Sequence, residues 1–225
     1  MKILAIDTST KYLSVALADN ERILASFRDE GRLEHSSLLI PSIDRVLEKA
    51  GLRLKDVNAI AVSIGPGSFT GLRIGVAACK GMNLAMGIPI AAVPTLDVIA
   101  YNFAGKKNSI LAPLLDAKKS KVYTAFYGPG MKRLSGYTLT DIGNFLKSVR
   151  KRTLVFGDAL ELYKGRLGEN ANIEISYGDW FPRAEVVAKI GFGMARKRKF
   201  TNPDRLVPMY LHSKYCQVNK AIRIK

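Results

Sequence analysis

Three stretches of the chain carry residues of the type and spacing to do chemistry. The first is Asp7-Thr8-Ser9-Thr10, a carboxylate and three hydroxyls directly after the apolar run Lys2 to Ile6. A strand-end aspartate in such a turn either accepts a backbone amide of its own turn or helps hold a metal beside bound phosphate. Asp116, after Leu114 and Leu115, has the same setting, so two carboxylates facing one cleft would make a divalent-metal site. Lys118, Lys119 and Lys121 would equally neutralise Asp116 on a surface. The second stretch, Gly65-Pro66-Gly67-Ser68-Phe69-Thr70-Gly71-Leu72-Arg73-Ile74-Gly75, has the strand, glycine turn and helix order that offers amides to an anion. It holds no P-loop lysine, and Thr70 stands where a dinucleotide fingerprint starting at Gly65 needs its third glycine. The third is Glu34-His35-Ser36. Leu39 stands one helical turn after His35, so no histidine pair can grip a metal there.

His35 and His212 are the two histidines, and no Ser/His/Asp or Cys/His set accompanies them. Cys79 and Cys216 lack CxxC or Cys/His spacing, which leaves them as ordinary thiols. No cofactor is expected.

The elements that must position these residues follow from hydrophobic period. Lys2 to Ile6, Tyr12 to Ala18 and Arg22 to Arg28 form an antiparallel meander. Leu33 to Ala50 switches to a spacing of three and four, with Gly51 placed to stop the helix. Pro41 predicts either a start near Ser42 or a kink. Val57 to Ile64 reads as a buried strand, Leu72 to Met86 as a helix of small residues, Ile88 to Val93 as a strand, and Thr95 to Phe103 as a helix. Meander followed by alternating strands and helices predicts an α/β fold, a mixed sheet with helices on both faces. This is the order of the ribonuclease H-like lobe of the actin-like ATPase group, where the lobe is usually duplicated.

Gly105-Lys106-Lys107-Asn108 marks a boundary, giving a first lobe over 1–104 and a second over 105–225. In the second, strands are expected at Ile110 to Leu115, Val122 to Tyr127, Tyr137 to Leu139 and Thr153 to Phe156. Helices are expected at Asp141 to Val149 and Ala184 to Lys197. The second lobe thus reads as a degenerate copy.

Net charge is +16 over 225 residues, and it is uneven. Residues 1–115 hold 13 Lys and Arg against 10 Asp and Glu, while 116–225 hold 22 against 9. Such a second half suits a polyanion, because displaced counterions favour nucleic-acid binding without sequence readout. Arg196-Lys197-Arg198-Lys199 is the candidate nucleic-acid contact, although positive charge at a helix end also suits the macrodipole. No apolar run reaches the length of a membrane span, and Asp7 comes too early for a secretory leader. A cytoplasmic protein is expected.

The two first-lobe helices carry more apolar surface than one small lobe needs to cover its sheet. Leu39, Ile43, Val46 and Leu47 on one, and Leu72, Gly75, Val76 and Cys79 on the other, are therefore expected to meet a protein partner.

Met1 to Ser9, Glu34-His35-Ser36, the Gly65 to Gly75 stretch, Val93-Pro94-Thr95-Leu96 and Leu115-Asp116-Ala117 together resemble the TsaB (YeaZ) family. The resemblance covers about the first 127 residues, and later residues fit through Pro182 to Gly191 and Pro208-Met209-Tyr210-Leu211. It implies a two-lobed actin-like fold in a non-catalytic subunit for making threonylcarbamoyladenosine in tRNA. The catalytic relative, TsaD, holds metal through a histidine pair that is here reduced to His35 and Leu39. The resemblance further implies pairing with TsaD through the first-lobe helices, association with the small ATPase TsaE, and self-association when the partner is missing. The alternative is an ATP- or metal-dependent enzyme, a phosphotransferase or glycoprotease, using Asp7 and Asp116, with Thr8 and Ser9 as remnants of a nucleotide turn.

Overall fold

The computed structural model describes residues 1–30, 34–106 and 109–211, so His212 and Cys216 lie outside the described residues. The first sheet is built from β1 (Lys2–Asp7), β2 (Tyr12–Asp19), β3 (Arg22–Glu30), β4 (Ala59–Ser63) and β5 (Ile90–Val93), in the order β3-β2-β1-β4-β5. β1 and β2 are antiparallel, with Asp7 opposite Ser14, whereas β4 and β5 continue from β1 in parallel.

β1 is apolar along its length because both its faces are covered. Leu4 and Ile6 join the core under α1 (His35–Lys49) and α2 (Phe69–Met86), and Ile3 and Ala5 join the core under α6 (Ala184–Arg196). The α6 face is lined with alanine, at Ala5, Ala16, Ala18, Ala59, Ala61 and Ala91. Small side chains let that helix sit close, to the point that a methyl on Gly191 would run into Ala61. On the other face the large side chains dominate, each buried Leu or Ile contributing roughly 2 kcal/mol.

α1 runs unbroken through Pro41, contrary to the expected kink or later start. Pro41 and Ser37 are both exposed, so the carbonyl that the missing N–H would have bonded is left to water. Gly51, at φ +66°, ends the helix as its sequence position predicts. The strand expected over Val57 to Ile64 is shorter, Ala59–Ser63, although Val57 and Ile64 remain buried at its ends.

The second sheet repeats the first. β6 (Ile110–Asp116), β7 (Lys121–Thr124), β8 (Thr138–Asp141), β9 (Thr153–Phe156) and β10 (Ile173–Ile175) stand in the order β10-β9-β6-β7-β8. α4 (Ile142–Ser148) and α5 (Leu160–Gly168) occupy the chain positions of α1 and α2. This is the duplicated ribonuclease H-like lobe of the actin-like fold, with a shortened second copy. α5 and β10 were not expected from sequence: β10 has three residues, and α5 contains Gly165 and Gly168, which weaken a helical pattern.

The expected boundary at residue 105 does not separate the packing units. α3 (Thr95–Tyr101) packs on β6, while α6 packs across β1, β2, β4 and β5. Leu96, Ile99 and Phe103 enter the core of the second sheet, where Phe103 stacks on Phe156 with centroids 3.9 Å apart. The segment after α6 also returns to the first lobe, with Thr201 bridged to Ile90 and the Met209 amide donating to the Ile64 carbonyl at 2.6 Å. Each lobe thus lends its last helix to the other.

Candidate functional site

The turn after β1 lies beneath the start of α2. The Ser9 amide and hydroxyl both donate to Asp7 Oδ1, at 2.9 and 2.8 Å. Thr8 Oγ1 donates to the Gly71 carbonyl at 2.7 Å, and the Ser68 amide donates to the Ser9 carbonyl at 2.7 Å. His35 Nε2 lies 2.9 Å from the Thr10 carbonyl, which ties the first residue of α1 to the same turn. Asp7, Thr8 and Ser9 have no exposed surface.

Glycine permits this closure. A β-carbon at Gly67 would strike the Ser9 carbonyl, one at Gly71 the Thr8 carbonyl, and one at Gly75 the Thr8 hydroxyl. Gly65 itself adopts φ +110°, a conformation that other residues rarely reach, and its carbonyl accepts from the Thr95 amide at 2.8 Å. The glycine stretch is therefore the surface on which α2 seats against the turn. Ser68 caps the helix by accepting from the Gly71 amide at 3.2 Å.

The expected nucleotide or metal remnant, Asp7, Thr8, Ser9 and Asp116, is not assembled as an open site. The first three are sealed and tied into internal hydrogen bonds, Asp7 through Oδ1 alone. Asp116 accepts from Lys118 twice, from its amide at 2.8 Å and from its ammonium at 2.6 Å. Asp116's own amide donates to Asp158 Oδ1 at 2.8 Å. Among the described residues no three His, Cys, Asp or Glu side chains come together as metal ligands.

Burial leaves a signature on Asp7. Loss of solvation holds its carboxyl above the usual carboxylate range, against smaller opposing effects of the Ser63 and Ser9 hydrogen-bonding groups and of His35. The Ser63 hydroxyl acts on Asp7 from beyond hydrogen-bonding geometry: among the described residues, Asp7 Oδ2 and Ser63 Oγ are both buried without a hydrogen-bond partner. Burial likewise pushes the Cys79 thiol up, so this cysteine is inert core.

The eight residues expected to form a partner interface are all core. Leu39, Ile43, Val46 and Leu47 on α1 and Leu72, Gly75, Val76 and Cys79 on α2 are buried against the sheet. The same periodicity that marks an apolar stripe marks the face a helix turns to its own sheet, and here that use takes the whole stripe. The outer faces carry different residues: Ile40 and Pro41 among Ser36, Ser37, Asp44, Arg45, Glu48 and Lys49 on α1, and Phe69, Arg73, Ala77, Leu84 and Met86 on α2. Leu84 is 89% exposed and Ile40 50% exposed. Arg73 is pinned, with its guanidinium 3.7 Å above Phe69 and its Nε donating to the Tyr210 hydroxyl at 3.0 Å.

Arg196, Lys197, Arg198 and Lys199 are exposed at the C-terminal end of α6. Ala184, at the other end, donates its amide to Ser14 Oγ beside the turn. The basic cluster therefore stands a full helix length from Asp7, about 20 Å.

Sequence reading missed one polar centre. Asp97 of α3 accepts from the Tyr127 hydroxyl at 2.7 Å and from the Tyr137 hydroxyl at 2.9 Å, and Arg133 stacks on the Tyr137 ring at 4.2 Å. A lone charge in the stretch Thr95 to Phe103 was the available signal.

Comparison with known proteins places these features. Residues 29–162 match the family model described as TsaD, tRNA N6-adenosine threonylcarbamoyltransferase. The TsaB protein of Buchnera aphidicola subsp. Schizaphis graminum is 33% identical over 171 residues, covering 72% of this chain and 80% of that protein. The TsaB protein of Escherichia coli is 40% identical over 129 residues, but the match covers 56% of this chain and 55% of that protein, about half the length of each. In structure, YeaZ from Pseudomonas aeruginosa superposes with a TM-score of 0.80 at 25% identity, covering 93% of this chain and 99% of that one. Match, relatives and superposition agree, and the chain belongs to the TsaB (YeaZ) family of tRNA threonylcarbamoyladenosine biosynthesis proteins.

Proposed function

We propose that this protein is a non-catalytic assembly subunit in tRNA threonylcarbamoyladenosine biosynthesis. It pairs with the catalytic relative TsaD through the outer faces of α1 and α2. The small ATPase TsaE joins that pair, a homodimer forms through the same faces when the catalytic relative is absent, and the work is done in the cytoplasm. Among the described residues no helix is long and apolar enough to cross a membrane.

One observation carries the reading: the turn that would do chemistry is closed, while α2, the helix that closes it, keeps Phe69, Leu84 and Met86 on its outer side and α1 adds Ile40. Asp7 lies sealed beneath α2, yet α1 and α2 turn Ile40 and Leu84 to solvent. Exposed apolar side chains on neighbouring helices suit a second helical pair better than they suit water.

The test uses Ile40→Asp and Leu84→Asp, each on the outer face, with circular dichroism to establish folding. Both are expected to lower TsaD co-purification and threonylcarbamoyl transfer at least tenfold with unchanged melting. Leu39→Glu and Val46→Glu are unsuitable, because a charge in the core would unfold the lobe whatever its partner. Undiminished pairing in both outer-face variants would overturn the proposal.

A further inference from the structure

We propose that the outer face of α6 is a binding track for single-stranded RNA. α6 buries Ala184, Val187, Ala188, Gly191 and Ala195 on the first sheet, which leaves the opposite side to Lys189, Gly193 and Arg196. Along that side cations lie over aromatic rings at about every second turn. Arg28 and Arg183 lie 4.3 and 5.2 Å from the Phe181 ring, Lys189 lies 5.3 Å from the Tyr101 ring, and Arg196 lies 5.9 Å from Phe192. Phe200, directly after the basic cluster Arg196 to Lys199, is 38% exposed.

In sequence the basic cluster stands without interleaved aromatics. The fold brings rings to it, of which Phe181, Tyr101 and Phe192 are half-buried beneath their cations and Phe200 is the one open to a base. Positive charge that follows a phosphate backbone, with rings beside it for unpaired bases, is the composition of a single-strand surface. A purely acidic protein would have no use for the exposed Phe200 ring, and a duplex would hide its bases from it. The acidic groups on this face are few. Glu30 is bridged to Arg28 at 2.6 Å, Asp179 is bridged to Arg183 at 2.7 Å, and Glu185 sits half-buried in the first turn.

α6 covers the opposite face of the sheet from α1 and α2, so the track stays open when those helices are occupied. The inference takes from the proposed function only the kind of polyanion. Its test needs no TsaD, so the two can fail separately.

The experiment measures fluorescence anisotropy of the full chain with a labelled 12-nucleotide single-stranded RNA of mixed sequence across a salt series, with a 12-base-pair RNA duplex alongside. Lys189→Gln with Arg196→Gln is expected to weaken single-strand binding about tenfold and to flatten the log–log salt slope by about 1.4, at about 0.7 per lost contact. Lys147→Gln with Arg150→Gln removes the same charge from the second lobe and is expected to change little. Phe200→Ala is expected to weaken single-strand binding without altering the slope. Equal loss in the second-lobe pair would overturn the track, as would duplex binding as tight as single-strand binding with Phe200→Ala silent. Displacement of RNA by polyglutamate at equal charge concentration would assign the face to an acidic protein instead, and absence of RNA binding at low salt would end the proposal.

Discussion

Thr8 and Gly71 are joined by a 2.7 Å hydrogen bond from the threonine hydroxyl to the glycine carbonyl, across 63 positions of sequence. It fixes the first turn of α2 on the turn after β1, at a residue whose lack of a side chain lets the two segments come this close.

That contact sets opposite expectations for two glycines of one helix. Gly71→Ala would drive a β-carbon into the Thr8 carbonyl, a backbone atom that cannot swing aside, and should destabilise by about 3 kcal/mol. Gly81 is exposed on α2 with open space around it, and Gly81→Ala should stabilise by about 0.5–1 kcal/mol. Urea denaturation of both variants checks the pair; equal effects would contradict the seating of α2 described above.

Asp7→Asn should raise stability at neutral pH by about 1 kcal/mol, since an amide keeps an acceptor for Ser9 and avoids a buried charge beside an unpaired Oδ2. The sign of its pH dependence follows from the raised carboxyl. A group that holds its proton more tightly when folded favours the folded state below its unfolded pKa, and loses that contribution as pH rises through the folded pKa. The advantage of Asn should therefore be largest near pH 8 and fade in acid. Melting temperatures of both proteins across pH measure it, and Asp7→Asn should leave threonylcarbamoyl transfer intact.

Asp97 binds two phenols of the second lobe from a helix that follows the first, so its loss should loosen the seam. Tyr127→Phe and Tyr137→Phe should each cost about 1.5–3 kcal/mol, the worth of a hydrogen bond to a charged group. Asp97→Ala should cost more than either, because it leaves both hydroxyls unpaired. Hydrogen exchange should quicken in α3, β7 and β8 while β1 and β2 stay protected; uniform protection throughout would contradict a localised seam.

Much of this architecture was legible in the sequence, for a physical reason. Strands buried on both faces, such as Leu4 to Ile6 and Ile60 to Val62, advertise themselves by continuous apolar character, and Gly51 marks the end of α1 by requiring positive φ. What stayed hidden depends on distance in sequence. The stripe through Leu39 and Val46 announces a buried face without saying what buries it, and the core answered where a partner was expected. Phe192 and Arg196 stand one turn apart on α6, but the ring beside Lys189 is Tyr101 of α3, which no local window could set beside that charge. Asp97 passed unremarked in the sequence because its partners, Tyr127 and Tyr137, lie 30 and 40 residues on.

The exchange of final helices has a consequence for synthesis. When the first five strands have left the ribosome, the alanine-lined side of their sheet has nothing upon it, and its cover is encoded some ninety residues later in α6. The first lobe is thus completed only by the last helix of the second, and a nascent chain must keep that bare sheet from other strands until Ala184 to Arg196 arrive. Duplication gave this molecule two similar halves, and the swap made them inseparable.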